Sequence, residues 1–306
     1  MLKKTVKITT PARLHFGFLE LNNNRNAPFG GIGLAIDKFH TKIVVKNNTG
    51  LKYEGIYLEK ASFFLETFCK KKKIKPNFHL KIERCAPQHI GLGSGTQLAL
   101  CIGNAISYLK SINLDEKKIA KILNRSSRSK VGLITYKHGG FIIDLETKNN
   151  FFTSIEKVFF PEDWKILLIK DEKQGLHGKN ETDAFKKINN SNKSNNLKLR
   201  ELVLLNLYPS LIEKNFNGFC KTINKFQNIM GKRFNIYQGG LYSSSEVSKV
   251  LNFLKKKKII GLGQTSWGPT GFAFFPRINE AEQMKRKLKK RFSSCKNLEF
   301  IICSGK

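Results

Sequence analysis

The run Ile90-Gly91-Leu92-Gly93-Ser94-Gly95-Thr96-Gln97 constrains this chain more than any other segment. It follows Phe78–Glu83, whose alternation predicts a strand, and opens a stretch from Gln97 to Lys110 that reads as a helix. Glycines at alternate positions let backbone N–H groups converge on one point without interference from Cβ atoms. The helix adds orphan N–H donors and the positive end of its dipole. Strand, Gly-rich loop and helix together make an anion site suited to phosphate. Ser94 and Thr96 are candidate hydroxyl donors, or ligands to a phosphate-bound Mg²⁺. The familiar phosphate loops do not fit. A Rossmann loop needs glycine where Thr96 stands, and no glycine is followed by the Lys-Ser or Lys-Thr of a Walker loop. Gly263–Gly268 has the right gap but continues into Pro269-Thr270.

Around this loop the chain reads as mixed α and β. Strands are predicted over Val6–Thr10, Leu14–Leu19, Lys42–Lys46, Phe141–Leu145 and Glu156–Phe160, with a Gly-rich, then apolar run over Phe29–Asp37. Leu21–Ala27 reads as a polar loop. Phe63, Phe64 and Phe68 mark a helix over Ser62–Lys71, and Asp115 caps another reaching about Ser126. Past residue 160 a strand over Trp164–Ile169 leads to a Lys/Asn/Ser linker, Lys186–Leu197, and to helices over Leu199–Glu213 and Phe216–Met230. A short strand, Ile259–Leu262, precedes a Gly-rich turn, and Phe272–Phe275, Glu280–Arg291 and Leu298–Cys303 follow as strand, helix and strand. A length of 306 residues accommodates two domains, 1–160 and 161–306.

The net charge of +32 would by itself suggest a polyanionic partner such as RNA. The lysines, however, are spread along the whole chain among many asparagines, as in Lys70–Lys73 and Lys255–Lys258. That is a solvated, composition-driven surface, which favours small anionic substrates by steering. The expectation is therefore no nucleic acid partner. Six cysteines without a C-x-x-C pair read as free thiols of a cytoplasmic protein. No apolar run approaches the roughly 18 residues of a membrane span, and Met1–Thr10 lacks the apolar core of a signal peptide.

Two further segments join the central loop: Pro11-Ala12-Arg13-Leu14-His15-Phe16-Gly17 early, and Gly261-Leu262-Gly263-Gln264-Thr265-Ser266-Trp267-Gly268-Pro269-Thr270-Gly271 late. The three-part arrangement resembles the GHMP superfamily of small-molecule kinases. The resemblance implies an α+β fold of two halves, a ribosomal-protein-like N-terminal half and a ferredoxin-like α/β C-terminal half. It implies that the central loop binds phosphates and that the late turn lies beside the active site.

The detail departs from kinase chemistry. Kinases of the superfamily show Gly-Leu-Gly-Ser-Ser-Ala, where this chain has Gly95 and Thr96. Mevalonate-type kinases place an Asp where Ser129-Lys130-Val131-Gly132, followed by Gly139-Gly140, has Gly132. Glycine can neither deprotonate nor orient an acceptor hydroxyl. A narrower resemblance accounts for these departures: the β-ribofuranosylaminobenzene 5′-phosphate synthases of methanopterin biosynthesis. It rests on Ala12–Leu19, Arg25, Gly30–Gly33, Gly91–Leu100, Arg128-Ser129, Gly132, Gly139-Gly140-Phe141 and Gln264–Pro269. Lys130, and Leu145-Glu146 after Asp144, depart from the usual glycines of that family.

This resemblance implies a transferase acting on 5-phosphoribosyl 1-diphosphate (PRPP), Mg²⁺, and 4-aminobenzoate or 4-hydroxybenzoate, in a homodimer. The implied phosphate and substrate set is Gly91, Leu92, Gly93, Ser94, Gly95, Thr96, Gln97, Ser129, Gln264, Ser266 and Trp267. Arg13 and Arg128 are candidate clamps for phosphate or carboxylate, since guanidinium matches both in bidentate fashion. His15 and His138 are candidate proton-transfer groups. Trp267 is a candidate stacking wall for the benzoate, and His177 a candidate on a mobile loop. An ATP-dependent kinase of the same fold is the alternative reading.

Overall fold

The computed structural model describes residues 4–20, 29–145, 155–188 and 193–306. The expected Leu21–Ala27 loop, Arg25 and Glu146 lie outside these residues.

The first half builds one sheet with helices against it. Strand β1 (Thr5–Gly17) runs without a break across the two strands expected there. A register shift between Thr10 and Ala12 absorbs Pro11, which has no N–H to give the ladder. Strand β2 (Gly31–Asn47) likewise joins two expected segments into one. Then come β3 (Lys52–Gly55), α1 (Leu58–Lys72), β4 (Phe78–Arg84), α2 (Ser94–Leu109), α3 (Glu116–Ile122), α4 (Val131–His138), β5 (Phe141–Asp144) and β6 (Ile155–Val158). The strand order is β3-β4-β2-β5-β6, with β1 also paired to β2. Asp115 caps α3, its side chain accepting from the Lys118 N–H, but the helix ends at Ile122, short of the expected Ser126. Helix α4 was not expected. Its Gly132 weakens the helical signal, and burial of Val131, Leu133 and Ile134 restores the helix.

The second half contains β7 (Lys165–Asp171), α5 (Gly178–Lys187), α6 (Lys193–Glu201), a π-helical turn (Leu202–Leu207), α7 (Tyr208–Ile212), α8 (Phe216–Gln238), α9 (Ser245–Lys256), β8 (Leu262–Gln264), β9 (Gly271–Phe275), α10 (Ile278–Arg291) and β10 (Leu298–Ser304). The sheet order β10-β7-β9-β8 is the antiparallel ferredoxin-like arrangement. The described ends of the expected Lys186–Leu197 linker are instead helical. Lys186 and Lys187 finish α5 and residues 193–197 begin α6, because Ala184, Phe185 and Leu199 are buried. His177 closes the loop between β7 and α5, as the residue that precedes the helix. Helix α9 is also additional to the expectations. Ser244 caps it, accepting from the Val247 N–H, and Val247, Val250, Leu251 and Leu254 form its buried stripe.

The two sheets share a core. Phe16 of β1 lies 5.8 Å, ring to ring, from Phe141 of β5 and 5.0 Å from Phe272 of β9. Phe274 of β9 stands 4.9 Å from Phe219 of α8. Alternation along β9 sends Phe272 and Phe274 into this seam, and Ala273 and Phe275 onto α9 and α10. Helix α2, buried along most of its length, packs on β1 and β2 and so fixes where its N-terminus, the Gly-rich loop, points.

Candidate functional site

The loop between β4 and α2 takes the conformation its glycines permit. Gly91 and Gly93 have φ of +86° and +79°, the left-handed region that side chains disfavour. Three cations crowd against it. The Arg13 Nη1 donates to the Gly91 carbonyl at 2.7 Å. A Cβ on Gly93 would lie 3.0 Å from the Arg13 guanidinium carbon, and one on Gly95 would lie 3.3 Å from both Lys60 Nζ and Arg125 Nη2. Gly93 and Gly95 are thus where cationic side chains reach the N-terminus of α2.

These cations are held at a cost. Burial, and then the neighbouring Arg125, pull Arg13 down to about 10, while Glu181 opposes the shift. Burial followed by Arg125 lowers Lys60, and burial lowers Arg125. All remain charged near neutrality. Like charges this close repel one another and Glu181 offsets them only in part, so the arrangement can accept an anion at the helix N-terminus.

The cleft has two adjoining cavities. One, of about 270 Å³, is lined by Arg13, Lys60, Arg125 and the loop from Gly91 to Thr96, and is closed by His177, Ser266 and Trp267. The other, of about 330 Å³, lies beyond Arg13 and Arg125 and is lined by His15, Phe18, Arg128, Ser129 and Gly132. Glu181 of α5 lines both and is the one carboxylate among their lining residues.

The late turn locks the early strand to the loop. Thr265 Oγ1 donates to the Gly91 carbonyl at 2.9 Å and accepts from the His15 N–H at 2.8 Å. The Ser266 N–H donates to the His15 carbonyl at 2.8 Å. Three segments far apart in sequence therefore meet at one place.

Most of the expected site residues converge here. Arg13, Gly91, Gly93, Ser94, Gly95, Thr96, Ser266 and Trp267 line the first cavity, and His15, Arg128 and Ser129 line the second. Four do not face either cavity. Leu92 is buried in the core. Gln97 is buried and bonds Thr10 Oγ1 and the Gly132 carbonyl, at 2.8 Å each. Gln264 accepts from the Ser243 N–H at 2.7 Å and donates to the Ser266 carbonyl, which shapes the turn. His138 ends α4, beside Gly139 and Gly140, where the Gly140 N–H donates to the Lys306 carbonyl. Its helix carries it away from the cations.

His15 is 5% exposed, and burial followed by Arg13 pushes its imidazole well below the usual histidine range, so it is neutral. Its Nδ1 is buried without a hydrogen-bond partner among the described residues, as is Trp267 Nε1. Trp267 stacks on Phe234 at 4.2 Å, so one of its faces is already covered. Ser129 Oγ donates to the buried Asp144 at 3.2 Å. Lys60, Arg125, His89 and Glu181 were not foreseen from the sequence. Lys60 is one lysine among many, Arg125 follows a short helix, and Glu181 lies on a short polar helix, just before the expected linker, for which the sequence predicts no element. His89 stacks on His177 at 3.8 Å over the cavity.

At Gly132 a side chain would fit tightly: a Cβ there would lie 3.2 Å from Thr96 Cγ2. Among the described residues no group of three or more His, Cys, Asp and Glu could hold a metal ion by itself.

An anion-binding loop between an early strand and a late Gly-rich turn, on a mixed sheet joined to a ferredoxin-like half, defines the class: the GHMP kinase fold. The GHMP kinases N terminal domain matches residues 57–139, and the GHMP kinases C terminal domain matches residues 185–294. Solved structures agree at the level of fold. A mevalonate pyrophosphate decarboxylase from Streptococcus pyogenes superposes with a TM-score of 0.71 at 14% identity, covering 100% of this chain and 98% of that one. The Methanococcus jannaschii mevalonate kinase gives 0.68 at 16% identity, covering 98% of each chain. Sequence relatives are more specific. A beta-ribofuranosylphenol 5′-phosphate synthase of Methanocaldococcus jannaschii is 31% identical over 299 residues, covering 87% of this chain and 88% of the relative. One from Archaeoglobus fulgidus is 26% identical, covering 77% and 79%. The chain belongs to this family of beta-ribofuranosylphenol 5′-phosphate synthases, within the GHMP kinase superfamily.

Proposed function

We propose that the protein transfers the phosphoribosyl group of PRPP to a para-substituted benzoate, with loss of pyrophosphate and carbon dioxide. The observation that carries this reading is the cluster Arg13, Lys60 and Arg125 on the Gly91–Thr96 loop, with Gly132, where a kinase would hold its carboxylate, lining the adjoining cavity. The relatives' name specifies a phenol product, which favours 4-hydroxybenzoate over 4-aminobenzoate.

The steps balance without an external acid or base. The bond from ribose C1 to the diphosphate oxygen breaks, and its electron pair leaves with pyrophosphate. The ring carbon bearing the carboxylate supplies the pair for the new bond to C1. The carbon–carboxylate bond then returns its pair to the ring, and carbon dioxide departs. Arg13, Lys60, Arg125 and the N–H groups opening α2 stabilise the charge growing on pyrophosphate. Neutral His15 orients the para substituent without adding a positive charge. Ser94 and Thr96 are hard oxygen donors fit to hold a Mg²⁺ ion that arrives on the diphosphate. When bound, the ion would neutralise charge on the leaving group.

The test is release of carbon dioxide and pyrophosphate from PRPP, Mg²⁺ and 4-hydroxybenzoate. Folded protein that releases neither, yet phosphorylates an alcohol from ATP, would overturn the proposal in favour of a kinase. The same reading makes the protein a cytoplasmic homodimer; its six cysteines are unpaired, and among the described residues no helix is long and apolar enough to cross a membrane.

A further inference from the structure

Arg128 is held from three directions by α5. Its Nη1 lies 3.2 Å from Glu181 Oε1, its Nη2 donates to Thr182 Oγ1 at 3.2 Å, and its guanidinium carbon sits 4.3 Å from the centre of the Phe185 ring. Arg128 and Glu181 are both half-buried and line the second cavity. That cavity differs from the first. The loop that cradles phosphate is represented there by Thr96 alone, and an aromatic wall, Phe18, stands in it. Phe18 is itself braced by His15 at 4.8 Å and by Phe185 at 5.3 Å. At about 330 Å³ it has room for one aromatic ring. Arg13 and Arg125 line both cavities; the recognition elements that belong to the second alone are the Arg128 guanidinium, the Phe18 ring face and the neutral His15 imidazole. That is the chemistry of an aromatic carboxylate.

We propose that Glu181 is an internal stand-in for the substrate carboxylate. In the free protein its side chain occupies the place on Arg128 that the benzoate carboxylate takes, and substrate binds there by exchanging one carboxylate for the other. The inference rests on the transferase reading and divides its substrates, with the diphosphate at Gly91–Thr96 and the benzoate at Arg128. Exchange solves a problem the reaction sets. A carboxylate that must leave as carbon dioxide cannot be gripped by an uncompensated cation, because every increment of ground-state binding is lost again in the transition state. Glu181 lowers the net grip, since each increment of binding is offset by the internal pair it breaks. It also supplies a replacement anion for Arg128 once carbon dioxide has gone.

The test is direct binding by calorimetry to the full-length protein, using 4-hydroxybenzoate, phenol and inorganic pyrophosphate without metal. Glu181→Gln removes the competing charge and should tighten 4-hydroxybenzoate about three- to tenfold, the scale of a half-exposed ion pair. Phenol, which has no carboxylate, should not change. Pyrophosphate should gain less than 4-hydroxybenzoate. If pyrophosphate gains as much or more, Glu181 acts only through the general field of the site and the exchange is overturned. Weaker or unchanged 4-hydroxybenzoate binding overturns it too. In an Arg128→Gln background the benefit of Glu181→Gln should vanish, and a benefit that persists places the carboxylate elsewhere. Should Arg128→Gln fail to fold, the ligand comparison on Glu181→Gln alone decides. The carbon dioxide assay is independent. Selective tightening without turnover keeps the aromatic carboxylate site and removes the reaction, whereas turnover without selective tightening removes only the exchange.

Discussion

A Cβ at position 95 would stand 3.3 Å from Lys60 Nζ and Arg125 Nη2. Gly95 itself opens α2 with no left-handed backbone to protect. Gly95→Val should therefore push the two cations aside and weaken inorganic pyrophosphate binding about tenfold, while thermal stability stays within a few degrees. Unchanged pyrophosphate affinity would remove the loop from the site. His89 offers a pH test. Burial, then Lys60, His177 and Arg125, pull it down to about 4 from an ordinary 6.5. The unfolded chain accordingly takes up a proton near pH 6.5 that the folded chain refuses until about pH 4. The stability this provides is complete above pH 6.5 and is lost as pH falls from 6.5 toward 4. His15 is shifted the same way. His89→Gln should flatten, without abolishing, the fall in melting temperature between pH 7 and pH 5. A slope identical to that of the natural protein would assign the pH dependence to other groups. At this scale the sequence names the residues whose setting is local, such as Gly91, Gly93, Ser94 and Thr96. It is silent on Lys60, Arg125 and Glu181, because a cation becomes a ligand only by what it is brought beside.

Elements carry their own signals in proportion to how local their causes are. The Asp115 cap and the Ser244 cap are both written in short range, since a hydroxyl or carboxylate three residues before an N–H closes a helix start wherever it occurs. Ser244 does more. Its Oγ donates to buried Asp171 at 2.5 Å while accepting from the Val247 N–H. Ser244→Ala should cost about 1–2 kcal/mol, above a simple cap, because it also removes a partner of a buried carboxylate. A melting shift no larger than that of Asp115→Ala would show that Asp171 recovers elsewhere. Helix α5 is the opposite case. Its polar composition predicts no element, and its last two residues read as linker, yet Ala184 and Phe185 are buried, Phe185 against Trp267 at 5.3 Å. Tertiary burial overrides weak propensity there, and with it Glu181 and Thr182 are delivered to the site.

At the scale of the molecule the two sheets are tied by one aromatic seam. Phe274 touches Phe16, Phe160, Phe219 and Phe272, with ring centres 4.9 to 6.0 Å apart. Phe274→Ala should cost about 3–5 kcal/mol and lower a single cooperative transition. Two transitions, one of them unmoved, would mean that the halves unfold separately. Light scattering should give twice the chain mass of 34.9 kDa if the homodimer holds. The charge of +32 predicts that the Michaelis constant for PRPP rises with ionic strength, because excess cations steer anions only within a Debye length.

By itself the sequence determined the anion loop, the strand–helix order around it and the missing kinase carboxylate at position 132. The first two follow from glycine conformation, alternation and helix period, which act over a few residues; the third follows from the resemblance to mevalonate-type kinases. Only the tertiary structure decided which cations stand at the loop. Arg13, Lys60 and the pair Arg125 and Arg128 come from three separate segments, and Glu181 from a fourth. The packing of α2 on the sheet, and of α5 against Trp267, brings them together. Electrostatics depends on distance in space, and no spacing along the chain encodes it.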